Sequence, residues 1–389
     1  MQMKQDRTFK DILLLALLRF KSFLLFILIS KTKLLDIFPK HRNNVRKERI
    51  SIKYNGVNFV ALRYSRLPLK KRPAIILNIG ISSYSENHVI LYRLAKVIAF
   101  LGFHAFIPCF YELKYRWIRK ESTKHIEHAI FAISNLHYVN SYQIGIIGVS
   151  FGGGLSLLAV KNPEVNKKIK FVLVIGTYSN LESSLRFSFT GKFKVKNKTK
   201  YIYPNPTGRI IFLHNFLEKI KLFKNEGKIR KILTNFLNGR TIWTFENIRN
   251  LEPADQKSIL SLYRGCKNDD VFYKLLNSNI KELSDTLSPK HIKDDVKKPV
   301  FIIHGIYDDM IDYGQSVDLA ESLSSSGGVY LHLSDILCNK KFSHFLSNPA
   351  MWINGGIKLS NVFYHALAVL HSDKNLRYNP ENEPIRFKI

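Results

Sequence analysis

The stretch Tyr142-Gln-Ile-Gly-Ile-Ile-Gly-Val-Ser150-Phe-Gly-Gly-Gly154 decides how the chain is read. Its short apolar run, Ile144 to Val149, ends in Gly148-Val149-Ser150-Phe151-Gly152. The helix-forming Leu155-Ser-Leu-Leu-Ala-Val160 follows at once. Strand, tight turn and helix give a G-x-S-x-G motif a mechanical meaning. The turn holds the serine at a strained backbone position, so the residues two before and two after must be small. The serine hydroxyl then stands at the carboxyl end of a strand, over a helix N-terminus whose amides stabilise negative charge. A second reading of the same stretch is a glycine-rich turn that only packs closely.

Working outward, the chain alternates buried strands with helices. Arg49–Tyr54 and Val57–Tyr64 alternate apolar and polar residues around Asn55-Gly56, a strong hairpin signal. Ala74–Gly80, His104–Pro108, Tyr142–Val149 and Phe171–Gly176 read as buried strands from their continuous apolar character. Helices are expected near 86–101 and 121–136. The rhythm breaks over 177–297, where helical stretches rich in aromatics and lysines replace strand runs. It resumes with a strand at Pro299–Gly305, a helix near 313–324, a strand at Val329–Leu333 and a helix near 357–371. The pattern predicts an α/β fold: a mostly parallel sheet with helices on both faces and an antiparallel hairpin at one edge. The expected organisation is a hydrophobic N-terminal helix in 1–33, a linker at 34–48, a core formed by 49–176 and 298–389, and a helical cap or lid at 177–297. Ligands in such sheets bind at the carboxyl edge, where that insertion sits.

The formal charge of the 389-residue chain is +30. The lysines are spread over nearly every segment, without a zinc-finger spacing, an RNP-like aromatic pattern or one dense basic tract. This favours a basic surface, or one facing anionic lipid, over nucleic-acid binding. Three cysteines, Cys109, Cys266 and Cys338, stand far apart. They point to a reducing compartment or to incidental thiols rather than a disulfide framework.

At the amino terminus, Ile12–Leu18 and Phe23–Ile29 are almost wholly apolar, interrupted by Arg19 and Lys21 and flanked by Lys4, Arg7, Lys10, Lys31 and Lys33. A helix over 12–29 is about 27 Å long, barely a bilayer's thickness. Each central cation at the bilayer midplane costs about 2.5–3.5 kcal/mol. Three placements follow: a helix lying in the membrane interface, a true span, or a helix docked on the protein itself. No small-x-small cleavage site precedes Lys31. With the cysteine pattern this places the expected membrane association on the cytoplasmic face.

A serine hydroxyl needs a base within hydrogen-bond reach and a third group to orient that base. His304-Gly305-Ile306-Tyr307-Asp308-Asp309 directly follows a buried strand and offers two acids. Asp308 is the candidate orienting carboxylate. Asp309 is the alternative, and is also placed to cap the next helix. Among thirteen histidines, His344 combines a loop after the last strand with the order serine, aspartate, histidine. His304 and His332 lie at or within strands, and His365 and His371 on the last helix. His125 and His128 make an H-x-x-H without the accompanying carboxylate of a metal motif, so no metal is expected. An oxyanion hole needs two backbone N–H groups. Phe151, after the serine, supplies one, and Ile81, in the loop after the strand at 74–79, is the candidate for the other.

These residues together resemble the α/β-hydrolase superfamily over roughly 50–176 and 298–371. The likeness rests on Gly148-Val-Ser150-Phe-Gly152, His304-Gly-Ile-Tyr-Asp308 and Ser343-His344 in the superfamily's chain order. The run through Gly152-Gly-Gly-Leu155 with Gly176-Thr-Tyr-Ser-Asn-Leu181 is similar to a poorly characterised bacterial branch. The resemblance implies Ser150 as nucleophile, His344 as base, Asp308 as its partner, a lid, no cofactor, and hydrolysis of an ester, thioester or amide. Acyl transfer by the same triad, and a catalytically silent membrane-tethered scaffold, are the alternatives. The chain departs from the pattern in two places. Ile79-Gly80 replaces the usual His-Gly. Pro108–Trp117 replaces a glycine-rich loop with a bulky basic one, which either shapes an acyl pocket or packs against the lid.

Overall fold

The computed structural model describes residues 9–30, 45–81, 89–264, 271, 273, 280–292, 295–323, 328–337 and 349–371. The strands are β1 (Val45–Tyr54), β2 (Val57–Arg66), β3 (Arg72–Asn78), β4 (His104–Pro108), β5 (Val139–Val149), β6 (Ile169–Ile175), β7 (Lys192–Val195), β8 (Lys198–Tyr201), β9 (Val300–Gly305) and β10 (Val329–Ser334). Eight of them form one sheet in the order β1-β2-β4-β3-β5-β6-β9-β10. From β4 to β10 the neighbours run parallel, while β1 and β2 are antiparallel to each other and β2 to β4.

The parallel strands are buried on both faces, which is why they read as continuous apolar runs. Ala74 and Ile76 of β3 face one core, with the helices α4 (Ser122–Ser134), α5 (Phe151–Val160) and α6 (Pro163–Lys168). Ile75 and Leu77 face the other, with α2 (Val89–Phe100) and α14 (Pro349–His371). The alternation is the two-residue period of a strand. At the edge, Asn55 and Gly56 both have positive φ, 47° and 79°, as a two-residue hairpin turn requires.

Between β6 and β9 lie α7 (Leu181–Thr190), the β7–β8 hairpin, α8 (Pro206–Ile220), α9 (Glu226–Leu237), α10 (Thr241–Arg249), α11 (Pro253–Arg264) and α12 (Lys281–Leu287). Phe187, Leu213, Leu217, Ile229, Leu233 and Ile259 from these helices share one continuous core with α4 and α5. The fully buried Arg209 ties three of them together. Its Nε donates to Leu262 O at 2.8 Å, its Nη1 to Ser188 O at 2.9 Å and its Nη2 to Tyr263 O at 3.2 Å.

Three elements differ from the sequence reading. The first strand begins at Val45, inside the segment read as linker. Val45–Glu48 pair with Arg63–Arg66, and Glu48 forms ion pairs with Arg63 and Arg46. An edge strand exposed to water can be this polar, so hydropathy does not reveal it. The β7–β8 hairpin is also unexpected. Phe193 and Val195 point inward between exposed lysines, an alternation too short to stand out. Finally, α14 starts at Pro349 rather than near Ile357. Gly355 lies against Ile336 inside this helix, and packing there overrides its low helix propensity.

The N-terminal helix α1 (Phe9–Ser30) packs on α14 and α2, burying Leu18, Ser22 and Leu25. Among the described residues no helix is long and apolar enough to cross a membrane. The insertion is also fastened to the short helix α13 (Gly314–Ser322). Gln315 Oε1 accepts the amides of Ser179 and Asn180 at 3.1 and 3.0 Å. The neighbouring Asp312 is buried, and burial pushes its carboxyl up to about 7.

Two outcomes follow. Gly56→Ala should cost about 1–2 kcal/mol in urea unfolding, from left-handed strain alone, because no atom lies within 4 Å of the added methyl. Asp312 has a raised folded pKa, so its protonated form favours the fold and stability falls as pH rises through about 7. Asp312→Asn should therefore raise the thermal midpoint at pH 8, and the gain should shrink progressively in scans down to pH 4.

Candidate active site

Ser150, Gly176 and Asp308 lie at or just beyond the carboxyl ends of β5, β6 and β9, which are consecutive neighbours in the sheet. Chain elements 158 residues apart in sequence numbering are thus brought to one edge by strand order. Ser150 has φ 55° and ψ −133°, a conformation that disfavours a side chain. Its backbone is held on both sides. The Ser150 amide donates to Ile175 O at 2.8 Å, and Ser150 O accepts from Gly153 N and from Thr177 Oγ1, each at 2.9 Å. The serine itself is half-buried, while the whole of α5 behind it is buried.

The small flanking residues are required by contact. A Cβ on Gly148 would stand 2.5 Å from Gly153 Cα, and one on Gly152 would stand 2.5 Å from the carbonyl group of Ile79. The loop after β3 therefore lies directly on the turn after β5. A Cβ on Gly80 would come within 2.6 Å of the Phe151 amide nitrogen. Ile81, the other candidate oxyanion donor, is the next residue and is half-buried against the core.

Asn78 and Ser156, which sequence reasoning missed, fasten this juxtaposition. Asn78 Nδ2 donates to Ser156 Oγ at 2.9 Å, and Ser156 Oγ donates to Gly152 O at 2.6 Å. Both are buried. The available signal was a single polar residue inside each apolar run, Ala74-Ile-Ile-Leu-Asn78 and Leu155-Ser156-Leu-Leu. Each contributes a buried hydrogen bond that ties the end of β3 to the first turns of α5.

Asp308 closes the turn after β9. Its Oδ1 accepts from the amides of Met310 at 2.8 Å and Ile311 at 3.2 Å. Its Oδ2 points toward Gly176, where a Cβ would be 3.2 Å away, and lies 3.6 Å from His304 Nε2. Burial pushes the Asp308 carboxyl up, opposed by His304 and by the two amides. His304 is fully buried and held neutral by burial. Its Nε2–H donates to Ile311 O at 2.9 Å, so its Nδ1 accepts from Ser316 Oγ at 2.6 Å. With both ring nitrogens committed inside the core, His304 braces the acid's loop. Asp309 does not cap the next helix, which begins at Gly314; its carbonyl instead accepts from Asn205 N at 2.8 Å, at the start of α8.

His344 lies outside the described residues. The chain leaves β10 at Ser334, paired with Gly305 three residues before Asp308, and Ser334 O accepts from Ile306 N at 3.0 Å. His332 and His365 are buried, and burial pulls both down to about 4. His125 Nδ1 contacts Glu112 Oε1 at 2.6 Å, on the outer side of α4.

The bulky loop after β4 packs against the insertion. It contains the short helix α3 (Tyr111–Lys114). Arg116 at φ 65° donates from Nη2 to Leu237 O at 2.5 Å and to Asn238 Oδ1 at 3.1 Å. Asn215 of α8 clasps the same loop, donating to Arg116 O at 2.8 Å and accepting from Ile118 N at 2.9 Å. A cavity of about 390 Å³ opens between the β7–β8 hairpin and the ends of β9 and β10. Phe193, Val195, Tyr201, Ile306, Tyr307, Tyr313 and Leu333 line it, and Lys200 Nζ donates to the Tyr313 hydroxyl at 2.5 Å. It adjoins the acid's loop rather than the serine.

No protein-family profile and no curated protein matches the sequence. Among solved structures, uncomplexed Pyrococcus horikoshii acylaminoacyl peptidase aligns over 87% of this chain and 44% of its own, at 13% identity and TM-score 0.50. The chain thus spans less than half the length of that peptidase. A thermostable esterase from Pseudomonas putida aligns over 85% of each chain at 10% identity and TM-score 0.44. An esterase from Pyrobaculum calidifontis aligns over 88% of this chain and 90% of its own at 15% identity and TM-score 0.44. The strand order, the strained serine at the turn after β5 and the match to the peptidase establish that this chain has the α/β-hydrolase fold.

Proposed function

We propose that the protein is a serine hydrolase that cleaves a carboxylic ester or thioester through an acyl-enzyme. The observation that carries this reading is Ser150, held at positive φ on the turn between β5 and a buried helix. Such strain persists only where the surroundings enforce it, and it clusters at functional sites.

In this mechanism Ser150 Oγ attacks the acyl carbonyl while His344 Nε2 takes its proton. Asp308 Oδ2 accepts from His344 Nδ1–H, fixing the tautomer and stabilising the imidazolium that forms. The amides of Phe151 and Ile81 receive the oxyanion. His344 then protonates the leaving oxygen or sulfur, and the acyl group remains on Ser150. A water molecule, deprotonated by His344, attacks this acyl-enzyme and releases the carboxylic acid, restoring the serine. The position of Asp308 supports its part, since Oδ1 is occupied by two amides and Oδ2 is turned toward the neighbouring strand end.

Ser150→Ala should abolish labelling by a fluorophosphonate probe and lower ester turnover by roughly 10⁴–10⁶-fold, with the thermal midpoint retained. Asp308→Asn should lower kcat on the order of 10⁴-fold, whereas Asp309→Asn stays near wild type. Labelling that persists in the Ser150 variant, or loss confined to the Asp309 variant, overturns the assignment. Gly152→Ala should lower kcat by on the order of 10²-fold, because the added methyl displaces the Ile79 backbone and with it the oxyanion loop.

A further inference from the structure

The two cations that interrupt the apolar N-terminal helix do not face outward from its middle. Arg19 stacks over the Tyr364 ring at 4.4 Å and reaches Asn361 Oδ1 at 3.3 Å, while Lys21 stands over the Phe103 ring at 5.1 Å. Both partners' rings belong to the body of the protein. The helix is seated by Leu18, Ser22 and Leu25, which are buried at 1%, 0% and 2% exposure. Opposite them stand Leu13, Leu17, Phe20 and Phe23, at 62%, 47%, 60% and 47% exposure.

Advancing about 100° per residue, the exposed Leu13, Ala16, Leu17, Phe20 and Phe23 with half-buried Leu24 fall within one arc of about 120°. Within residues 13–25 no charge lies in that arc. Arg19 borders it on one side and Lys21 on the other. Ile353 and Ile357 of α14, two turns and one turn before Asn361 on the same strip of that helix, add two more exposed apolar side chains beside it, at 65% and 50%.

We infer that the outer face of α1 is a docking surface for one leaflet of an anionic lipid bilayer, with the helix lying flat while its inner face stays on α14 and α2. An exposed apolar face bordered by cations, on a helix whose opposite face is covered by the protein body, can bury that face in the membrane interface while the cations stay at headgroup level. Charge selects the occupant. Lys4, Arg7, Lys31 and Lys33 flank the helix in the sequence, Lys10 lies in its first turn, and the chain carries +30. That charge is attracted by an anionic leaflet and repels a second copy of the same chain. Stacking of Arg19 and Lys21 on Tyr364 and Phe103 removes the need to bring either cation into the apolar layer.

The test uses the full chain and vesicles of phosphatidylcholine alone or with one quarter phosphatidylglycerol, read by co-sedimentation. Binding is expected to the mixed vesicles, at least tenfold weaker to the neutral ones, and weakened by added salt. The double substitution Leu17→Glu/Phe20→Glu should reduce binding at least tenfold without moving the thermal midpoint, since both side chains are already exposed. A Phe20→Trp variant should be quenched more by shallow than by deep lipid-borne quenchers. The inference is overturned if neither vesicle binds or if the double variant binds as tightly as wild type. It is equally overturned if deep quenchers dominate, as for a spanning helix, or if the double substitution instead abolishes a lipid-independent dimer.

Discussion

Ser150 cannot hold φ 55° by its own preference, and the surrounding architecture is best understood as what keeps it there. Its amide is tied to β6 through Ile175, and its carbonyl to Gly153 and Thr177. The strain of a left-handed side chain costs about 1–2 kcal/mol, so these bonds must be made by rigid partners. They are: β6 lies between β5 and β9 in the sheet, and α5 is buried along its whole length. The loop after β3 is positioned by the same contact, since Gly80 touches the Phe151 amide and the Asn78–Ser156–Gly152 chain of hydrogen bonds sets their separation. Ser150, the Phe151 amide and the loop after β3 thus share one set of restraints.

Much of this was legible because it is local. The apolar run, the glycines and the helix-forming residues that define the turn around Ser150 are contiguous. Asp308 was legible as an acid in the turn following a buried strand, though not how its two oxygens divide between the amides of Met310 and Ile311 and the strand end at Gly176. The sheet's composition follows from the continuous apolar runs of β3 to β6, β9 and β10. Their spatial order was not read from sequence, because hydrophobic periodicity reports burial and not neighbours. His344 remains an assignment by position along the chain.

What escaped the sequence depends on partners far away along it. The loop at 109–117 reads as bulky and basic, but whether it lines a pocket or packs is decided by Asn215 and Leu237, roughly a hundred residues on. Arg19 and Lys21 read as defects in an apolar helix until Tyr364 and Phe103 are placed under them. The first four residues of β1, Val45–Glu48, were hidden for the opposite reason. Their polar edge is stabilised by backbone pairing and by Glu48, neither of which leaves a hydrophobic trace. Two-residue alternation in β7 is too brief for periodicity to register, and β8 is exposed along its whole length.

The bond from the Asn205 amide to the Asp309 carbonyl joins the first turn of α8 to the loop that carries the acid. Arg116 and Asn215 join α8 and α9 to the loop after β4, and Gln315 joins the beginning of the insertion to α13. The insertion is therefore a pinned arch rather than a door on a single hinge. A rigid displacement of α8 either breaks the Asn205–Asp309 bond or drags the backbone next to Asp308 with it. Whatever strains the arch is felt at the backbone beside Asp308 before it reaches Ser150.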